Sequence, residues 1–299
     1  MIKKNFISLA DFSKAELEAI VALATKLKQN PHIDVAKDKH LAMIFEKSST
    51  RTRVSFEVGI NQLGGKAVVL SAQDMQLGRG ESIADTAKIL SRYVDMIMIR
   101  ANKHKDVLEL AENATIPIIN GLTDFNHPCQ VLTDIFTYIE HRGNIENKLI
   151  AWFGDGNNMC NSWLNAALKF GFKLNLALAK GYYPDANLLA EAKEANLVEI
   201  FHHASEAAQN ADLITTDTWV SMGDEDELER KQAFSKLQVT KEVMAKAKPN
   251  ALFMHCLPAH RDEEVTTEVI DGAQSVIFTE AENRLHVQKA IMNFLFLNN

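Results

Sequence analysis

Short runs that are apolar at every position recur along this chain, and the stretches between them carry helical periodicity. In the first half the runs are Leu41-Ala42-Met43-Ile44-Phe45, Ala67-Val68-Val69-Leu70, Met96 to Ile99 and Ile116 to Ile119. Strands without polar alternation belong in parallel sheets covered on both faces. The segments between them read as helices. Ser13-Lys14-Ala15-Glu16 forms a capping box ahead of the stripe Leu17, Ile20, Ala24 and Leu27. Val54 to Leu63, Glu81 to Val94, Lys105 to Asn113 and Pro128 to His141 follow. Repeated β-α order predicts an α/β fold.

The polar stretch Arg142 to Asn147 marks a boundary, after which the pattern restarts at Leu149-Ile150-Ala151-Trp152-Phe153. Further strands are expected at Leu174 to Leu178, Glu199 to His202, Leu213 to Thr216, Ala251 to His255 and Val276 to Thr279. Ala281 to Phe296 reads as a closing helix that returns to the first half. With 299 residues, the chain has room for two such domains. Its net charge of -7 weighs against nucleic acid or an acidic membrane as the main partner, so an anionic ligand would have to meet a local cationic cluster. No signal peptide or membrane-spanning segment is expected, and three widely spaced cysteines do not make a disulfide framework. A cytoplasmic, reduced protein is the expectation.

Open parallel sheets bind ligands beyond the carboxyl ends of their strands, and the chemistry-bearing residues collect there. Ser48-Ser49-Thr50-Arg51-Thr52-Arg53 lies where the first sheet strand gives way to a helix. Hydroxyls, guanidiniums and the free N–H groups of a helix N-terminus suit a phosphate, although the same residues also make an ordinary capped helix with solvated arginines. Arg100 ends the third strand, and Arg284 lies just past the last expected one. Three arginines at equivalent strand ends favour the anion site. His127-Pro128-Cys129-Gln130 opens a helix. There His127 can donate to a developing oxyanion or merely cap the helix, Gln130 presents its amide one turn on, and Cys129 packs.

In the second half, Asn157-Asn158 and Asp217 each follow a strand. Asp217 and Ser221 on a glycine-ended loop suit the ammonium and carboxylate of an amino acid, or simply form a turn with a solvated carboxylate. His255-Cys256-Leu257-Pro258 adds a thiol that is a base, a nucleophile or an inert core group. No histidine pair has zinc-ligand spacing, and no metal is expected. Gly154-Asp155-Gly156 lacks the third glycine of a dinucleotide fingerprint, and the next strand runs to Lys180-Gly181 with no acidic residue for a ribose.

Taken together, Ser49-Thr50-Arg51-Thr52, Arg100, His127-Pro128-Cys129-Gln130, Asp217 through Ser221-Met222-Gly223, His255-Cys256-Leu257-Pro258 and Arg284 resemble the ornithine carbamoyltransferase family along essentially the whole chain. The resemblance implies two domains, each a parallel sheet flanked by helices, the second Rossmann-like. Residues 1–142 with a C-terminal helix at about 283–299 would bind carbamoyl phosphate, and residues 148–282 would bind ornithine. It also implies carbamoyl transfer to the δ-amine of L-ornithine without cofactor or metal, in arginine biosynthesis. By the same resemblance, Ser49, Thr50, Arg51, Thr52, Arg100 and Arg284 would hold the donor, with Gln76 reaching it from a neighbouring subunit of a homotrimer. Arg100, Thr52 and His127 would polarise the carbamoyl oxygen, and Gln130 with the backbone at Cys256 and Leu257 would orient its amide. Asn158, Asp217, Ser221 and Met222 would bind ornithine, with Cys256 beside the attacking amine.

Overall fold

The computed structural model describes residues 3–73, 75, 80–220 and 226–299. The chain divides into two compact units, Met1–Phe136 with Glu282–Asn299, and Thr137–Ala281. Each is built on one all-parallel sheet.

In the first unit the strands are β1 (His40–Phe45), β2 (Lys66–Ser71), β3 (Met96–Arg100) and β4 (Ile118–Leu122), in the order β2-β1-β3-β4. They are connected through α1 (Lys14–Gln29), α2 (Thr50–Gln62), α3 (Ile83–Leu90), α4 (His104–Asn113) and α5 (Pro128–Arg142). Ser13 caps α1 in a reciprocal capping box with Glu16, which satisfies two otherwise orphan N–H groups. The apolar runs of β1 and β3 are buried along their length, whereas the edge strand β2 is partly exposed. Register decides the site's geometry here. Phe45 pairs with Arg100, and Arg100 with Leu122 after an irregularity at Ile99/Arg100, so the segments leaving β1, β3 and β4 start level on one sheet edge.

The second unit holds β5 (Leu149–Gly154), β6 (Lys173–Leu178), β7 (Val198–Phe201), β8 (Leu213–Thr216) and β9 (Leu252–His255), in the order β7-β6-β5-β8-β9. That is a doubly wound arrangement whose direction of winding reverses at β5. The helices are α6 (Asn158–Phe170), α7 (Ala186–Glu194), α8 (Ala204–Ala207), α9 (Glu227–Phe234), α10 (Lys241–Met244) and α11 (Thr267–Ile270), before the closing α12 (Ile277–Leu297). Phe153 pairs with Thr216, and Thr216 with His255, so Asp217 and Cys256 are the next residues out on neighbouring strands.

One expected strand is absent. Val276 to Thr279 does not join the sheet. Its pairing with β9 stops at an isolated bridge of Ser275 to Phe253 and the Val276 N–H on the Phe253 carbonyl, because Glu280 N–H already donates to the Val276 carbonyl as the first turn of α12. The β-branched residues there fit a helix start because Ile277 packs into the core and Phe278 stays exposed. Arg284 therefore sits two turns inside a helix and does not follow a strand.

Helix α12 packs on the N-terminal part of the chain. A Cβ at Gly59 would lie 3.1 Å from Met292 Cε and 3.2 Å from Lys289 Cγ, so α2 approaches α12 closely there. Phe294 packs on Phe12. The buried ammonium of Lys289 reaches the Leu27 and Pro31 carbonyls and Gln62 Oε1 at 3.1, 3.3 and 2.7 Å. Among the described residues, no helix is long and apolar enough to cross a membrane.

Candidate active site

In the first unit the site starts at the turn after β1. Ser49 is the N-cap of α2, its hydroxyl accepting from Thr52 N–H at 3.3 Å, so Thr50, Arg51 and Thr52 form the helix's first turn. The side chain of Thr52 is buried and turned to α12, where Arg284 Nη2 donates to its Oγ1 at 2.7 Å. These two residues are 232 positions apart in sequence. A guanidinium with 4% exposure has lost most of its water, and its charge acts at nearly full strength on whatever lies beside it. The buried Nε of Arg51 has no hydrogen-bond partner among the described residues, which is rare for a native donor.

His127 directly precedes α5 and is buried. Burial, and then the Arg284 and Arg100 cations, hold its pKa well below the ordinary histidine value. Burial and those two cations favour the neutral ring over the imidazolium. Gln130, in the first turn of α5, gives its amide N–H to Asp134 Oδ1 at 2.8 Å, which fixes the amide plane. Cys129 packs beneath, with its thiol on the Asn120 carbonyl and its pKa pushed up to about 12 by burial. This is an inert core thiol.

The loop carrying His127 is held by residues that the sequence reading passed over. Asn120 and Asn126 both reach the Ile7 carbonyl, at 3.1 and 3.3 Å, and Asn126 N–H donates to Thr123 Oγ1 at 3.2 Å. All three side chains are buried. The Thr-x-x-Asn spacing before Pro128 is the signal that could have found this turn.

In the second unit, Asn157 caps α6 by accepting from Met159 and Cys160 N–H, and its amide donates to Asp217 Oδ2 at 3.3 Å. Asn158, the expected ornithine contact, is the first residue of α6, and its neighbour Asn157 adds a bond to Asp217 that the sequence alone does not show. Asp217 Oδ1 accepts from Thr218 N–H at 2.7 Å and from the Cys256 thiol at 3.1 Å. The register of β8 and β9 brings this carboxylate and thiol together. Ser221 and Met222, like Gln76, lie outside the described residues. Just before Ser221, the Trp219 carbonyl accepts from Arg230 Nε at 2.8 Å, and Arg230 pairs with Asp155.

Asp217, His255 and Cys256 bring potential metal-ligand atoms within 4.8 Å of one another. The imidazole of His255, however, already uses both nitrogens, one on Glu264 and one on the Leu257 N–H. It offers an ion no open lone pair. The glycine turn after β5 is also occupied: a Cβ at Gly156 would lie 2.2 Å from Pro184 N and Tyr183 C. Glycine is required there because the 183–184 backbone packs directly on the turn.

Two parallel sheets, a hydroxyl- and arginine-lined helix N-terminus and an Asp–Cys pair at neighbouring strand ends define a chain built to hold an anion and a polar second ligand. Residues 4–140 match the model of the aspartate/ornithine carbamoyltransferase carbamoyl-P binding domain, and residues 146–295 match that of the Asp/Orn binding domain. The chain belongs to the aspartate/ornithine carbamoyltransferase family. It is 52% identical over 297 residues to the ornithine carbamoyltransferase of Ruthia magnifica, covering 98% of this chain and 99% of that protein. Solved structures give the same picture. Ornithine carbamoyltransferase from Burkholderia thailandensis superposes with a TM-score of 0.91 at 50% identity, covering 98% of each chain. The Pyrococcus furiosus enzyme gives 0.92 at 47%, covering 97% of this chain and 96% of that one.

Proposed function

We propose that this protein transfers the carbamoyl group of carbamoyl phosphate to the δ-amine of L-ornithine, giving L-citrulline and phosphate. The observation that carries the reading is His127, an imidazole buried within the field of Arg284 and Arg100, whose neutral form that setting favours. A neutral donor beside fixed cations is what a carbonyl oxygen gaining negative charge requires.

In this reading Ser49, Thr50, Arg51, Thr52, Arg100 and Arg284 hold the phosphate, and the buried Arg51 Nε finds its partner there. The neutral amine attacks the carbamoyl carbon, and the carbonyl electrons move onto oxygen, where Thr52, Arg100 and His127 donate. Each such donor is worth about 3–4 kcal/mol in comparable sites. The C–O bond to phosphate then breaks, phosphate leaves with the electron pair, and the proton lost by the amine goes to the departing phosphate. Gln130 and the Leu257 backbone orient the carbamoyl amide. The Cys256 backbone shares that task, and since the Leu257 N–H is engaged by His255, Leu257 contributes its carbonyl. Asp217, with Asn158, Ser221 and Met222, holds the amino-acid end of ornithine, and Cys256 lies beside the amine.

On this reading residues 1–142 with the last helix form the donor domain and residues 148–282 the acceptor domain. The working form is a cytoplasmic homotrimer in which Gln76 reaches a neighbouring subunit. The test is citrulline formation from carbamoyl phosphate with L-ornithine, L-aspartate and putrescine offered in parallel. Turnover with ornithine alone is expected. A preference for putrescine would overturn the acceptor assignment, and no turnover with any amine would overturn the reaction.

A further inference from the structure

The segment leaving β9 is anchored by a buried polar chain that the proposed chemistry does not use. Glu264 is fully buried and His255 nearly so, and His255 Nε2 lies 3.0 Å from Glu264 Oε1. On the other side of the ring, Leu257 N–H donates to His255 Nδ1 at 2.9 Å. An amide N–H can only donate, so Nδ1 must carry a lone pair. The neutral ring then has its proton on Nε2 and donates it to Glu264.

The carboxylate is itself held in place. Its Oε1 also accepts the His260 N–H at 2.6 Å, and the Glu264 carbonyl accepts the Val239 N–H at 2.9 Å. At the other end of the chain, Leu257 adopts φ +56, a left-handed conformation that a branched L-residue rarely occupies. Such backbone persists only where its surroundings over-determine it. Here the captured N–H does so, one residue beyond the thiol that bonds Asp217.

We propose that His255 and Glu264 are positioning residues: their pair captures the Leu257 N–H and thereby sets the Cys256 thiol and the Leu257 carbonyl in place for the reaction. The catalytic part of this rests on the proposed role of Cys256 and Leu257. The geometric part does not. The two ends of the imidazole have separate jobs, and they can be separated by substitution. His255→Asn places an amide oxygen near the Nδ1 position and keeps the acceptor for Leu257. His255→Gln reaches toward Glu264 and loses that acceptor.

Three measurements on the full chain test this. Long-range proton–nitrogen correlation on histidine-labelled wild type should find His255 protonated on Nε2. Protection of the Leu257 amide against hydrogen exchange should survive in His255→Asn and be lost in His255→Gln. In citrulline assays, His255→Asn and Glu264→Gln should stay within about threefold of wild type, while His255→Gln and Glu264→Ala should lose about tenfold or more in kcat with little change in KM. An Nδ1-protonated ring, or equal Leu257 protection in the two His255 variants, overturns the proposal whether or not any variant folds well. Wild type without citrulline activity, but with the expected tautomer and exchange pattern, would overturn the proposed function and leave the anchoring geometry standing. Intact geometry with full kcat in His255→Gln would overturn the positioning role.

Discussion

The two units hold their functional residues in different ways. In the first, Thr52, His127, Gln130 and Arg284 are buried in or at the ends of helices, around an outer set, Ser49, Thr50, Arg51 and the strand-end Arg100, that is half-buried or exposed. In the second, Asp217 and Cys256 are half-buried and lie just past the ends of strands. The contrast follows from charge. A phosphate carries its charge wherever it binds, so preformed donors in a dry setting gain most from being fixed in advance. For a flexible amino acid with two charged ends, the proposed second ligand, half-buried contacts at strand ends are the matching arrangement.

The sharpest way to break the comparison is to remove the fixed donor. His127→Ala should lower kcat by about 10²–10³, with KM for carbamoyl phosphate changed far less, because the lost bond belongs to the charged intermediate. Wild-type pH–rate profiles should also show no limb near pH 6.5 from this residue. Its depressed pKa keeps it neutral there, and protonation comes only well to the acid side. A full-strength limb near the ordinary histidine value, lost in His127→Ala, would contradict the buried-donor picture.

A smaller effect is expected on the half-buried side. Asp217→Asn should raise KM for ornithine by about 10- to 100-fold, the range for losing a charged hydrogen-bond partner, while leaving that for carbamoyl phosphate nearly unchanged. Equal loss for both substrates would erase the division of labour between the units.

The smallest effect concerns the frame. Burial lowers the Lys289 pKa to about 8, against about 10.4 in the unfolded chain. Well below the folded value, where both states are protonated, the penalty for a buried charge is present in full. Between the two values the unfolded state holds more protons than the folded one, so stability rises with pH. Thermal melts should show wild type gaining on Lys289→Met between about pH 7 and pH 10. A gap that stays constant would mean that the ammonium's three oxygen partners fully replace its lost water.

Much of this architecture was legible because it is local. Unbroken apolar runs mark strands buried on both faces, and Ser13, Ser49 and Pro128 mark helix starts through chemistry that acts within one turn. Misreading Val276 to Thr279 has the same origin. β-branched residues favour a strand locally, but Glu280 N–H bonds back to Val276, and the packing of Ile277 into the core suits a helix start. Asn157 was legible as a cap; its bond to Asp217 was not.

By itself, then, the sequence determined the alternation of strands and helices, the capped turn at Ser49 and the set of residue types gathered at strand ends. Tertiary structure alone decided which of them meet. It set Arg284 on Thr52, the Cys256 thiol on Asp217, and His255 between Glu264 and the Leu257 N–H. It also decided that His127 favours its neutral form, since the cause is burial beside two arginines distant in the chain. Periodicity and capping act over a few residues, whereas burial and the field of a neighbouring charge depend on what the fold places within a few ångströms.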